Sequence, residues 1–365
     1  MMVLWAVLFA WMGARAAEPP PLDQAIALIA SQLPDPVDDS QLMFAALQGI
    51  TDHLNRQAGA PVHAVLTTAE HRALAAHYQG HRDGLGALYR IVAGQGLTLE
   101  HVYPDGPAAQ SGLQRGDMVI AINNHPFTGL GLDDIFQVAN AEAMLPTVVL
   151  DVRRAGRLQR VSLSRGPYVV PMVSPHPTDA DCVEVLFFGV GAADRLRARL
   201  SELDPSAGVV LDLRDNQGGM LDEAVAAADL FLEAGAAVVT RRAADGTEEV
   251  LVASGAAVWS GAVAVVTNER TAGAAEAFVA ALQGHQVART AGTATAGLAR
   301  EPSYYPLGGG LVLQLADTVL RPPAGASWDG GGLTPDVWVE PVSNSPSGIL
   351  PDVQLSAARG LLGEP

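Results

Sequence analysis

The sequence predicts a multidomain α+β / α/β chain: a helical N-terminal region, a β-rich domain, and a mixed α/β core on a largely parallel sheet. Three observations predict it. Apolar residues recur at helical spacing as far as Tyr78, short strands with Gly-rich turns fill 83–165, and apolar strands alternate with helices from Val183 on. Alternation of the last kind implies βαβ units around parallel strands. The boundaries read as 1–16 (signal), 17–82 (helical region), 83–165 (β-rich domain), 166–342 (core) and 343–365 (tail, mixed and peripheral).

Composition narrows the function. The chain has 365 residues, 49% hydrophobic and 17% charged, enough to bury a sizeable core. Its net charge is -17 and no long basic run occurs, which speaks against nucleic acid or an anionic membrane surface as partner. No lysine occurs, so all 22 basic residues are arginines. Arginine stays protonated, so no side-chain amine can serve as general base or Schiff-base former. A single cysteine, Cys182, allows neither an internal disulfide nor a Cys-rich metal site, and it reads as a buried strand residue. No cofactor or metal is expected.

The N-terminus, MMVLWAVLFAWMGARAAEPPP, has an apolar run from Val3 to Met12 too short to span a bilayer. Small residues at Ala14 and Ala16 fit signal cleavage after Ala16, so export to the periplasm or beyond is expected; the lack of a basic residue before the run leaves an uncleaved anchor or a mis-assigned start as alternatives. Helices follow over Leu22–Ile29, over Leu42–Leu54 behind Asp38-Asp39-Ser40, and over Thr68–Tyr78 with Thr68 as cap. In the β-rich stretch, Leu97–Val102 and Met118–Asn123 alternate as strands, with Asn123-Asn124 as a hairpin turn. Gly106–Leu113 is a short helix into the Arg115-Gly116-Asp117 turn. Leu132–Ala141 is an amphipathic helix, and Thr147–Arg153 and Leu158–Leu163 form a hairpin around Ala155-Gly156.

Gly84-Leu85-Gly86, DGPAAQSGLQRGDMVIAINN (105–124) and the Leu132–Ala141 helix resemble a PDZ domain of the bacterial, permuted kind. The resemblance implies capture of extended peptide C-termini by strand addition. Backbone N–H groups around Gly84, Leu85, Gly86 and Ala87 would then hold the terminal carboxylate, because glycine permits close backbone approach.

In the core, the reading gives helices over Asp194–Leu203, Leu221–Leu232 and Ala274–Leu282, and strands over Ala207–Leu213, Ala237–Arg241, Val263–Thr267 and Leu311–Leu320. The segments LDLRDNQGGMLDEAVAAADLFL (211–232), TNERTAGAAEAFVAALQGH (267–285) and RPPAGASWDGGGLTPDV (321–337) resemble, in order, those of the C-terminal processing (tail-specific) serine peptidases, an S41-type family. The resemblance implies a serine nucleophile with a lysine base. A serine hydroxyl is weak until a neighbour takes its proton, and that lysine must be neutral to do so.

This chain departs from the pattern at every one of those positions. The nucleophile segment lies on Asn268–Glu276 and puts glycine, Gly273, where the family has its catalytic serine. The lysine segment lies on Gly292–Ala299 and puts Leu298 at the base; the helper glutamine falls on Pro302. Gly218 and Gly219 match the family's Gly-Gly turn, where backbone N–H groups can face an oxyanion, although a strand-to-helix turn that simply needs glycine fits equally well. Gln217 replaces the usual proline.

Other residues could carry chemistry. Thr271 is the nearest hydroxyl, with Glu276 and His285 the closest candidate bases by sequence; Glu276 also suits the first turn of a helix. His77 and His81 stand four apart without a third ligand, as surface histidines do. Asp212, Arg214 and Asp215 cluster at a strand's carboxyl end, where α/β sheets place ligands, or as a local ion pair closing the turn. The favoured expectation is an exported, non-catalytic relative, a pseudoenzyme, that binds protein C-termini or unfolded segments and acts as adaptor, decoy or regulator of an active relative. The alternatives are a peptidase working through Thr271 and an envelope scaffold with a vestigial groove.

Overall fold

The computed structural model describes residues 22–33, 35, 37–177, 179–324, 326–342 and 352–363. The signal-like segment lies outside the described residues, as does 343–351 of the tail.

Helices Leu22–Gln32 and Asp39–Ala58 come first. Asp38 caps the second, its carboxylate accepting the Ser40 N–H at 2.8 Å. The third helix, Thr68–Tyr78, is capped by Thr67, not Thr68. A cap must lie outside helical geometry, and Thr67 ends a strand, Ala64–Thr67, that keeps it extended. Glu70 completes the box by accepting the Thr67 N–H.

The β-rich module is an antiparallel sheet in the order Ala87–Val92, Gly96–Val102, Met118–Ile122, Thr147–Arg154, Arg157–Ser164, with His125–Pro126 paired to the third strand. Two-residue turns set its register: Asn123-Asn124 and Ala155-Gly156 all have positive φ, as the twist of a tight hairpin requires. Helix Leu132–Ala143 buries Ile135 and Ala139 against the module's core.

The core sheet runs Val173–His176, Asp179–Val185, Val209–Asp212, Val263–Thr267, Ala288–Gly292, Val337–Trp338. Its first pair is antiparallel and the rest are parallel. Strands buried on both faces need an apolar layer on each side. Leu211 and Val265 pack with helices Ala192–Leu200, Leu221–Ala228 and Ala274–Gly284, while Val210, Ala264 and Val266 face the other way. The second face is covered by a helix, Val353–Leu361, through Leu355, Ala358 and Leu361. The end of the chain is therefore part of the core's packing, not peripheral to it.

Two further readings are corrected. Strands Ala237–Arg242 and Leu311–Arg321 belong to a separate antiparallel sheet with Ala64–Thr67, Glu248–Val252 and Arg300–Gly308, not to the parallel one. Helix Leu221–Ala228 also stops short of Leu232.

Candidate functional site

Strand Val263–Thr267 ends in a buried threonine, and the chain turns through 268–273 into helix Ala274–Gly284. Gly273 is the corner, at φ 58° and ψ −118°, a conformation that glycine adopts without strain. A Cβ built on it would meet only the Gln217 carbonyl oxygen, at 3.9 Å. The corner thus has room for a side chain and carries none.

The Gly-Gly turn packs against this corner. A Cβ on Gly218 would stand 2.8 Å from the Ala272 oxygen and 3.0 Å from the Ala274 nitrogen; one on Gly219 would stand 2.3 Å from the Phe188 oxygen. Both positions therefore require glycine for packing, which accounts for the motif without any chemistry. The Gly218 N–H donates to Asn216 Oδ1 at 2.9 Å, so it is spent inside the turn. Among the described residues the Gly219 N–H has no such partner. Of the expected oxyanion pair, only Gly219 keeps a donor to offer, beside the first N–H groups of the helix.

Glu276 organises the site. It is fully buried in the helix's first turn, and its carboxylate accepts from the Gly273 N–H, the Thr295 hydroxyl, the Gly297 N–H and the Leu298 N–H. Burial pushes its carboxyl above the usual range, and these four donors pull the other way. Gly273 and Leu298 donate to the same oxygen, at 2.9 and 2.8 Å. Gly273 and Leu298 are thus neighbours across one carboxylate. The sequence offers Glu276 as a helix-start acid or as a base for Thr271, but not as this hub, since three of its partners lie on a segment some twenty residues on.

Thr271 is also fully buried. Its hydroxyl donates to the Leu213 carbonyl at 2.8 Å and accepts the Asn268 N–H at 3.1 Å. Neither proposed base reaches it: Glu276 is held as described, and His285 Nε2 lies 2.7 Å from the Ala237 carbonyl oxygen at the far end of the helix.

Pro302 lies in a cleft of about 160 Å³ that Gly219 and Met220 also line, between Tyr78 and Tyr304. Arg214 bonds both oxygens of Asp212 and both of Asp352, so this cluster ties the C-terminal helix to the strand end. Asp215 pairs instead with Arg270 at 2.6 Å and with Asn268. His77 packs edge-on against Phe187 and beside Arg82; burial, with that guanidinium, lowers its pKa to about 4. No group of metal-ligating side chains occurs among the described residues.

In the β-rich module, strand Ala87–Val92 is the sheet edge, with helix Leu132–Ala143 beside it. Gly84 pairs with Gly166, and the carbonyls of Leu85 and Gly86 accept from Ala108 and Tyr103. Gly86 has φ 77°, and a Cβ there would press on Pro107 at 3.0 Å. The loop is therefore a close backbone turn at the head of an open strand edge, the geometry that strand addition uses.

Residues 182–339 match the family model of peptidase family S41, and residues 99–150 match a PDZ domain model. Over residues 182–339 the core resembles peptidase family S41. A CtpA-like serine protease of Staphylococcus haemolyticus is 26% identical over 301 residues, 81% of this chain and 60% of that protein. A carboxy-terminal-processing protease of Bartonella bacilliformis is 27% identical, over 83% of this chain and 70% of its own length. The chain thus spans about three-fifths of the staphylococcal relative. Two solved S41-type folds match at the level of architecture. They are an S41 protease from Bacteroides fragilis (TM-score 0.64, 18% identity, 94% of this chain and 98% of that one) and a photosystem II D1 C-terminal processing protease (0.56, 20%, 93% and 91%).

Proposed function

We propose that this chain, whose core resembles peptidase family S41, is an exported, non-catalytic protein that binds polypeptide C-termini through its PDZ groove and holds an extended segment at the unfilled corner. One observation carries the reading. Gly273 and Leu298, at the positions that the resemblance assigns to nucleophile and base, meet on Glu276 through their backbone N–H groups, and neither side chain supplies an attacking oxygen or a basic nitrogen. The whole chain lacks a lysine that another alignment could bring in. Loss of nucleophile or base in a serine protease costs roughly a million-fold in turnover, which oxyanion stabilisation does not recover. Thr271 offers no replacement, because its hydroxyl already serves two backbone groups. Export rests on the N-terminal pattern alone.

The test uses purified mature chain. A serine/threonine-reactive phosphonate is expected to leave it unlabelled, and casein is expected to survive incubation. Free-acid peptides should bind more tightly than their amidated forms. Labelling at Thr271, lost in Thr271→Ala, would establish a peptidase; equal affinity for acid and amide would establish a vestigial groove.

A further inference from the structure

The cleft beside Gly219 has a chemistry of its own. Its walls are the rings of Tyr78 and Tyr304 with Leu221 and Pro302, and its rim carries Asp222 and Glu301. One guanidinium serves this rim: Arg241 reaches Asp222 at 3.0 Å, Glu301 at 2.7 Å and Glu249 at 3.6 Å. Two lining carboxylates, Asp222 and Glu301, around one arginine leave a formal charge of one negative at the mouth, and Glu249 draws further on the same guanidinium. The Asp222 side chain is 75% exposed, so it is free to meet a ligand.

We propose that this cleft receives a lysine or arginine side chain of an extended polypeptide lying across the Gly273 corner. This rests on the reading of the corner as a polypeptide site. A long basic side chain suits both parts of the cleft, its methylene stem against the apolar walls and its charged head at the rim. The tyrosine faces attract a cation further. An aliphatic side chain would fill the same walls but strip water from the rim carboxylates without replacing it. An acidic one would add a like charge to an already negative mouth. The net charge of -17 draws basic segments toward the molecule as a whole.

The experiment titrates mature chain by fluorescence anisotropy with N-acetylated, C-amidated peptides that differ only in one central residue. Amidation removes the carboxylate on which the PDZ groove depends, so the signal reports the cleft. The arginine peptide is expected to bind about tenfold tighter than its glutamate counterpart and about threefold tighter than the leucine one. Asp222→Asn should cut the arginine affinity by up to about fivefold and leave the leucine peptide unchanged. Asp222→Arg should reverse the arginine–glutamate order. Thermal melting of each variant confirms that it is folded.

Leucine binding as tightly as arginine, or a preference untouched by both variants, overturns the basic-residue assignment while leaving the corner a polypeptide site. If no amidated peptide binds at all, the corner is not such a site and both readings fall. Free arginine amide matching the peptide would also overturn the proposal, since the extended segment would then contribute nothing.

Discussion

At the scale of single residues, the corner makes two predictions. Gly273→Ser meets no steric obstacle, but it forces a side chain into a positive-φ conformation at a cost of about 1–3 kcal/mol. A lower urea midpoint with no gain of cleavage is expected from that change alone. Together with Leu298→Lys it should give weak peptide cleavage, because the pair then supplies the hydroxyl and the amine that the family resemblance implies; activity from either change singly would break the pairing. Thr271→Ala should cost about 1–2 kcal/mol, as the Leu213 carbonyl loses one of two donors and the Asn268 N–H loses its acceptor, and should leave peptide affinity unchanged. A change in affinity without a change in stability would assign Thr271 to the ligand instead.

At the scale of elements, the C-terminal helix Val353–Leu361 is a lid on one face of the parallel sheet. Arg214 bridges Asp212 to Asp352 at its start, and Arg359 pairs with Asp179 near its end. Arg214→Ala leaves a buried Asp212 unpaired and should destabilise the fold by about 3 kcal/mol in equilibrium unfolding. Deleting residues 352–365 should uncover Cys182, which lies under the helix; its reaction with a thiol reagent under native conditions reads the exposure. Much of the architecture was legible because its cues are local. Asp38, the Asn123-Asn124 turn and the alternating buried strands each announce themselves within a few residues. The antiparallel sheet that joins Ala64–Thr67 to Leu311–Arg321 was not, since pairing across 240-odd residues leaves no trace in either strand's pattern. The same holds for Glu276. The sequence displays Gly273 and Leu298 as separate departures from the resembled pattern, but not the carboxylate that brings them together.

At the scale of the whole molecule, charged groups join the PDZ module to the core. Arg270 bonds Glu100 as well as Asp215, and Arg115 bonds the buried Glu184, which His101 approaches at 3.9 Å. Burial, with Arg115 nearby, lowers the His101 pKa from 6.5 to about 4. A base with a depressed folded pKa contributes stability that is complete above 6.5 and is lost as the pH falls toward 4. His101→Gln removes that titration, so its melting temperature should fall less steeply than wild type between pH 6.5 and 4. Glu100 and Glu184, raised by burial, act in the opposite sense, but they are present in both proteins and largely cancel in the comparison. Parallel slopes would mean that the interface does not sense His101. Because no lysine occurs, amine-reactive dyes should label only the amino terminus, a site-selective handle for such measurements.

The torsion angles at Gly273 carry a consequence for lineage. Glycine is the residue for which that bend is free, so on the proposed reading a chain that takes glycine there surrenders reactivity and gains cohesion in one step. Any descendant regaining a hydroxyl must first tolerate a weaker fold, with nothing to show for it until a cation also appears opposite. Such a departure is a ratchet.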